Sequence, residues 1–346
     1  MKIIVTGSAG FIGSAFVHYL ATAPGVQTVG VDDLSRRGAE RNLKWLLRHA
    51  ANHVFERLDV ASAADMDDLL RRHPDAEAVV HLAAQTAVTT SVADPRRDFE
   101  ANALGTLNVL EAVRRHAPGA ALLFSSTNKV YGSLEHETIV NRGDRYELVD
   151  RPQGISELCP LDFHSPYGCS KGAADQYVRD YARIYGMRTV VFRQSCIYGP
   201  RQYGVEEQGW VAWFAIAATT GAPITVFGDG CQVRDLLWID DLCLLYQSAI
   251  TDIDRVSGQV YNIGDGQANA RSVREVLHVI ENLREEPLRR AQGSWRSGDQ
   301  RVFVADTAKI TRDLGWAPRM NAAEGVALLM HWVQESAHNG EHGPQE

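Results

Sequence analysis

Met1-Lys2-Ile3-Ile4-Val5-Thr6-Gly7-Ser8-Ala9-Gly10-Phe11-Ile12-Gly13 opens the chain. Lys2–Thr6 is a short apolar run that predicts a buried strand. Gly7, Gly10 and Gly13 follow at a spacing of three, and an apolar helical pattern starts at Phe11. Glycines let the backbone turn tightly and come close to a pyrophosphate, and the exposed N–H groups and dipole of the helix start hold its charge. The next strand pattern, Gln27–Val31, ends at Asp32. Strand, glycine turn, helix and a following acid together point to a bound dinucleotide. A carboxylate at Asp32 can accept both adenosine ribose hydroxyls and repels a 2′-phosphate, so NAD is expected over NADP. Arg36 and Arg37 keep NADP open, because an arginine can hold that phosphate.

Outward from this opening, strand and helix signals alternate. Strands are predicted at Lys2–Thr6, Gln27–Val31, His53–Leu58, Ala78–Leu82, Ala121–Ser125 and Thr189–Arg193. Helices are predicted at Phe11–Ala21, Ala39–Ala50, Ala63–His73, Phe99–His116 and Gly172–Tyr185. Alternation of this kind predicts an α/β fold with a doubly wound, parallel Rossmann sheet. In the second half, Trp210–Thr220, Ser272–Leu283 and Ala322–Glu335 read as helices and Ile224–Phe227 as a strand, which predicts a smaller α/β substrate-binding cap. The expected division is 1–193 plus 234–263 for the dinucleotide domain and 194–233 plus 264–335 for the cap, with 336–346 a polar tail that frays.

The 346 residues are 45% hydrophobic and 23% charged, with a net charge of −8. That balance argues against nucleic acid or an anionic membrane as partner. A few local arginines can still hold an anionic small ligand. Cys159, Cys169, Cys196, Cys231 and Cys243 show no metal-type spacing and read as reduced thiols, and no metal site is expected. No apolar run reaches the roughly 18 residues of a membrane span, and the opening carries no signal peptide. A cytoplasmic protein is expected.

Ser165-Pro166-Tyr167-Gly168-Cys169-Ser170-Lys171 supplies a tyrosine and a lysine four apart, on one face of a helix. A tyrosine of ordinary pKa, about 10, is a poor base at neutral pH. A neighbouring ammonium and a positive nicotinamide ring are expected to lower it. Tyr167 could then take the proton of a substrate hydroxyl as hydride leaves the same carbon.

The Gly-x-x-Gly-x-x-Gly spacing with Tyr-x-x-x-Lys resembles the extended short-chain dehydrogenase/reductase family, the NAD-dependent epimerases and dehydratases. The resemblance implies cofactor contacts at Gly7, Gly10, Phe11, Ile12 and Gly13, and at Asp32, Asp33, Ser35 and Arg36. It implies further contacts at Asp59 and Val60 beside the adenine, and at Leu82, Ala83, Ala84 and Gln85 under the pyrophosphate. Asn102, Ser125, Tyr167, Lys171 and Gln194 complete the set. Thr127, in Ser125-Ser126-Thr127-Asn128-Lys129-Val130-Tyr131-Gly132, matches the family's catalytic Ser/Thr, beside Tyr167 and Lys171. Sugar 4,6-dehydratases of the family carry Asp-Glu directly after this threonine. Asn128 and Lys129 stand there instead, which argues against dehydration.

Gly228-Asp229-Gly230-Cys231-Gln232-Val233-Arg234-Asp235 and Arg296-Ser297-Gly298-Asp299-Gln300-Arg301 resemble the family's two arginine segments that hold a nucleotide-sugar pyrophosphate. Arginine suits that work because its planar fork pairs with phosphate oxygens. Arg234, Arg296 and Arg301, with Gln85, Thr127, Asn128, Gln194 and Gln208, are the candidate substrate contacts. Within the family the likeness is to the CDP-paratose 2-epimerases, from about Met1 to Trp332. It implies inversion at C2 of a CDP-linked 3,6-dideoxyhexose through a 2-keto intermediate. A 4-epimerase of a UDP- or CDP-hexose is the alternative, although those enzymes carry Asn where this chain has Cys196. A non-catalytic dinucleotide sensor would have no use for Thr127, Tyr167 and Lys171 together. The resemblance also implies a homodimer or homotetramer paired through Phe99–His116 and Gly172–Tyr185.

Overall fold

Strands whose residues are apolar on both faces must be covered on both faces. Ile3, Ile4, Val5, Val79, Val80, Leu122 and Leu123 are accordingly fully buried. They lie in a seven-stranded sheet whose order is Val260–Ile263, Thr189–Gln194, Ala121–Thr127, Ala78–His81, Lys2–Thr6, Gln27–Asp32, His53–Arg57. All neighbours run parallel. The computed structural model describes residues 1–338 apart from Ser297.

Successive side chains along each strand point to opposite faces. Ile3, Val5 and Leu123 therefore join Phe16 and Leu20 in one apolar cluster, whereas Ile4, Val79 and Leu122 join Leu69, Val109 and Val113 in another. Strand order reverses between Lys2–Thr6 and Ala78–His81. This is the doubly wound Rossmann arrangement, with its ligand crevice beyond the carboxyl ends of the strands at the reversal. Gly7, Asp32, Leu82, Thr127 and Gln194 all stand at that edge.

The second half builds smaller sheets over the same edge. Val233–Trp238 pairs with Ala270–Ser272, Val302–Phe303 and Cys196–Tyr198, while Ile224–Phe227 pairs with Arg290–Gly293. Val233–Trp238 thus stays with the smaller sheet, and the chain re-enters the large one at Val260–Ile263. A hairpin, Ile139–Asn141 with Tyr146–Leu148, occupies the segment between the Thr127 turn and the Tyr167 helix. Among the described residues no helix is long and apolar enough to cross a membrane.

Three elements differ from the sequence expectation. The helix expected at Phe99–His116 is Pro95–Phe99, a π-helical turn Glu100–Leu104, then Gly105–His116. The helix expected from Gly172 begins at Ser165, because Pro166 falls in its first turn, where no N–H is missed. The final helix runs to His338, so the expected tail is helical over its first three residues. Its remainder, 339–346, lies outside the described residues.

Candidate active site

The glycine turn is held by backbone packing. Gly7 has φ +70°, and a Cβ there would stand 2.7 Å from the Ala83 nitrogen. A Cβ on Gly13 would stand 2.1 Å from the Gly7 carbonyl oxygen. Gly10 differs: its Cβ would meet only the Gly7 oxygen, at 3.1 Å, so its other side stays open. Gly10 is also the N-cap of Phe11–Ala21, with no side chain capping it. A cradle closed below by the protein and open above at a helix start fits a pyrophosphate. Phe11 and Ile12 are half-buried beside it.

Asp32 accepts the Ala9 N–H at 3.0 Å and the Leu34 N–H at 2.8 Å, one on each carboxylate oxygen. Burial raises its pKa, and those two N–H groups partly offset the rise. Each oxygen keeps a lone pair for a ribose hydroxyl. Asp33 accepts from the Ser35 N–H and hydroxyl, at 2.9 and 2.7 Å, shaping the same loop. Asp59 is exposed and accepts the Ala61 N–H at 2.9 Å, beside buried Val60. Arg36 donates to Thr86 Oγ1 at 2.9 Å, across the crevice, and its charge reaches Tyr167.

Beneath the cradle runs an ordered hydrogen-bond chain. The Leu82 and Ala83 N–H groups donate to Thr6 Oγ1. Thr6 meets His81 Nδ1 at 2.7 Å, His81 Nε2 meets Thr106 Oγ1 at 3.0 Å, and Thr106 donates to the Asn102 carbonyl at 2.6 Å. Because Thr106 uses its proton on Asn102, His81 Nε2 must donate and Nδ1 accept. Burial holds the ring neutral, with its pKa down at about 3.

Thr127 ends its strand, nearly buried, within hydrogen-bonding reach of the Tyr167 phenol. Lys171 lies one turn on from Tyr167, its ammonium 4.2 Å from the centre of the Phe124 ring. The tyrosine pKa moves opposite to the expected direction. Burial pushes Tyr167 up to about 12, the Thr127 bond and Arg36 pull it down, and Asp98 pushes it up. Burial likewise brings Lys171 down to about 7 against the pull of Asp175 and Asp98. Arg36 is thus a cation that acts on the phenol.

Several of the expected contact residues are amides held by bonds within the protein. Asn102 is buried in the π turn; its Oδ1 accepts the Gln85 N–H, and its Nδ2 donates to the Gln85 carbonyl, Asp98 and Ser170. The Gln85 side chain closes a local turn on Ala87. Gln194 accepts from Ser125 Oγ at 3.2 Å and donates to the Tyr246 hydroxyl. These three position the loop and strand ends, and Leu82, Ala83 and Ala84 remain half-buried along the crevice. Below Thr127, Arg193 pairs with Asp175 through two 2.9 Å bonds, and Ser126 donates to Asp175 at 2.8 Å. Asp98 and Asp175 escaped the sequence reading, although Asp98 lies four before Asn102 and Asp175 four after Lys171, the spacing of one helix face.

On the cap side, Arg234 donates to Asp299 Oδ1 at 2.9 Å, and Lys129 Nζ stands 3.8 Å from the same oxygen. Arg296 lies over the Phe227 ring and donates to the Glu206 carbonyl, whereas exposed Arg301 lies against Tyr146. Asn128 and Gln300 bond each other through side chain and backbone, so Asn128 is fixed. Gln208 holds a tight turn through backbone bonds to Val205. Half-buried Cys196 stands near Arg234 and Trp210, and burial pushes its thiol up to about 12. Away from the crevice, His136, Glu137 and Cys159 converge. There Arg151 holds both Glu137 oxygens at 3.2 Å, the partner a metal would have to displace.

Comparison with known proteins agrees with this geometry. Residues 3–264 match the NAD dependent epimerase/dehydratase family. The chain is 44% identical to a CDP-paratose 2-epimerase of Salmonella typhi over 339 residues, covering 96% of this chain and 99% of the relative. A UDP-glucose 4-epimerase of Thermotoga maritima, solved with UDP-glucose, superposes with a TM-score of 0.83 at 31% identity, covering 97% and 100% of the two chains. A dTDP-glucose 4,6-dehydratase of Streptomyces venezuelae, solved with NAD, gives 0.84 at 28% identity, covering 98% of each. With a glycine turn at a helix start, Asp32, Thr127 and Tyr167 along one crevice, the chain belongs to the NAD-dependent epimerase/dehydratase family, and its cofactor is NAD.

Proposed function

We propose that the protein inverts a hydroxyl-bearing carbon of a nucleotide-linked sugar, at C2 of a CDP-3,6-dideoxyhexose. The observation that carries this reading is the turn after Thr127. Eliminating water needs an added acid and base there, and the turn offers Asn128, fixed by Gln300, and Lys129, a cation. Oxidation and return of hydrogen at one carbon needs neither. The 44% identity to a CDP-paratose 2-epimerase supports C2. A 4-epimerase of a UDP- or CDP-hexose is the second reading, favoured by the likeness to UDP-glucose 4-epimerase.

NAD, when bound, supplies the hydride acceptor and donor. Thr127 Oγ1 hydrogen-bonds the substrate C2 oxygen and Tyr167 Oη takes its proton, leaving a 2-keto sugar. The buried phenol is a poor base by itself, so the cations around it must stabilise the phenolate. Arg36 does so from across the crevice and Lys171 from one turn along the helix. The keto sugar then turns its other face, and Tyr167 returns the proton. Arg234, Arg296 and Arg301 hold the diphosphate while the sugar turns.

An oligomer paired through its helices suits the exposed Phe99, Tyr177, Ile184 and Tyr185. Unpaired cysteines suit a cytoplasmic setting. The test incubates the protein with CDP-paratose and with UDP-glucose in deuterated water and follows both by NMR. Inversion at C2 with the C2 hydrogen retained supports the reading. Inversion only at C4, or deuterium at the inverted carbon, overturns it.

A further inference from the structure

We infer that Lys129 selects the carbon that reacts: its ammonium grips the phosphate nearest the sugar and sets C2, rather than C4, before Thr127 and Tyr167. The inference rests on the proposed epimerase activity and deepens it.

The Lys129 N–H donates to Thr127 Oγ1 at 3.2 Å, so this ammonium and the Thr127 hydroxyl belong to one turn of chain. Lys129 Nζ donates to the Gly298 carbonyl at 3.3 Å and lies 3.8 Å from Asp299 Oδ1, the oxygen Arg234 also takes at 2.9 Å. Two cations therefore share one carboxylate. The Lys129, Arg234 and Asp299 side chains are only 19%, 12% and 25% exposed. An excess positive charge in so enclosed a place is costly until a further anion joins it. Burial and the Arg234 charge bring Lys129 down to about 8, against the pull of Asp299. The anion that fits is a diphosphate.

Chemistry then relates phosphate to carbon. In a nucleotide sugar the distal phosphate is joined through one oxygen to C1, and C2 is the next ring carbon. C4 lies across the ring. A cation on the Thr127 turn that holds this phosphate leaves C2 beside the catalytic pair. To present C4 there, the sugar would have to slide by its own width away from the anchor. Asn128 cannot take over, since Gln300 fixes it.

The experiment compares wild-type holoenzyme with Lys129→Met, Lys129→Gln and Lys129→Arg. Initial rates are taken with CDP-paratose, and the inverted carbon is read by NMR with CDP-paratose and with UDP-glucose. Loss of a hydrogen bond to a charged group predicts a KM raised about tenfold to a hundredfold in the Met and Gln variants. The fall in kcat should be smaller, bound NAD and thermal midpoint should stay at wild-type values, and Lys129→Arg should restore KM. An unchanged KM, a defect confined to kcat, or no restoration by Arg overturns the inference. Should both neutral variants lose NAD or fold poorly, wild-type titration with CDP and CMP decides. CDP, which carries the distal phosphate, should bind at least tenfold tighter, and equal binding overturns the proposal. If wild type fails to invert C2, the epimerase reading fails instead, and the CDP titrations of wild type and variants still judge Lys129.

Discussion

Asp175→Asn tests the floor under the proposed catalytic residues. Asp175 is wholly buried and accepts from Ser126, from Arg193 twice, and from Gln176. Arg193 also donates to the Tyr131 hydroxyl at 3.0 Å, which donates to Asn262 at 2.7 Å. Burial works against the Arg193 charge, and the bonds to Asp175 outweigh it, so the guanidinium stays charged. An asparagine keeps the shape, removes the counter-charge and turns an N–H₂ toward the guanidinium. Breaking one partner of such a buried pair costs about 3–5 kcal/mol. Unfolding 346 residues at about 2.1 cal/mol/K each gives an entropy of about 0.7 kcal/mol/K, so the midpoint should fall by about 4–7 °C. Calorimetry at matched NAD saturation measures it, because bound cofactor itself raises the midpoint. A second readout follows from Lys171, whose ammonium Asp175 and Asp98 sustain against burial. Without Asp175 that ammonium is lost at a lower pH, and the basic limb of the turnover profile moves toward acid. A midpoint within about 1 °C of wild type, with an unmoved profile, would refute the reasoning.

Tyr167→Phe should keep its bound NAD and lose turnover by about 10²–10⁴-fold, the usual worth of a positioned acid–base group; unchanged turnover excludes the Tyr167 phenol as the group that moves the proton. Gly7→Ala forces φ +70° on a residue with a Cβ and drives that carbon to 2.7 Å from the Ala83 nitrogen. The cofactor content of the purified protein, read by absorbance after denaturation, should drop several-fold. Buried His53 has its pKa lowered to about 4, so between that value and about 6.5 the unfolded chain binds the extra proton. Its contribution is complete above pH 6.5 and falls by about 2 kcal/mol on going to pH 5. Asp265, raised to about 7 by burial, acts in the opposite sense. The measurement is therefore the wild-type minus His53→Gln difference in urea unfolding, and a flat difference from pH 6.5 to 5 counts against the assignment.

The large sheet was legible because its strands are short apolar runs and its phosphate turn has glycines where a Cβ would collide. Strand ends lay within a residue or two, with Thr127 and Gln194 extending theirs toward the crevice. The pairing of Tyr167 with Lys171 was legible because residues four apart share a helix face. What remained hidden depends on partners far along the chain. Nothing local says that the Asn102 amide will meet Gln85 and Ser170, that Gln194 will meet Tyr246, or that Asp299 will stand between Lys129 and Arg234. The sign of the Tyr167 shift is hidden for a related reason: the sequence shows which charges are near, and only the fold shows how completely the phenol is withdrawn from water.

The π turn at Glu100–Leu104 has a consequence for how this half of the molecule can vary. A π turn holds one residue more than the α-helix on either side, and one residue rotates the helix face by about 100°. It therefore sets the angular phase of Pro95–Phe99 independently of Gly105–His116. One segment can present Phe99 to the outside while the other turns Thr106 toward His81 beneath the cradle. Deleting a single residue from the turn would restore a regular helix, and the two ends could no longer both keep their facing. An outer surface can thus drift to suit a neighbour while the cofactor floor stays in register.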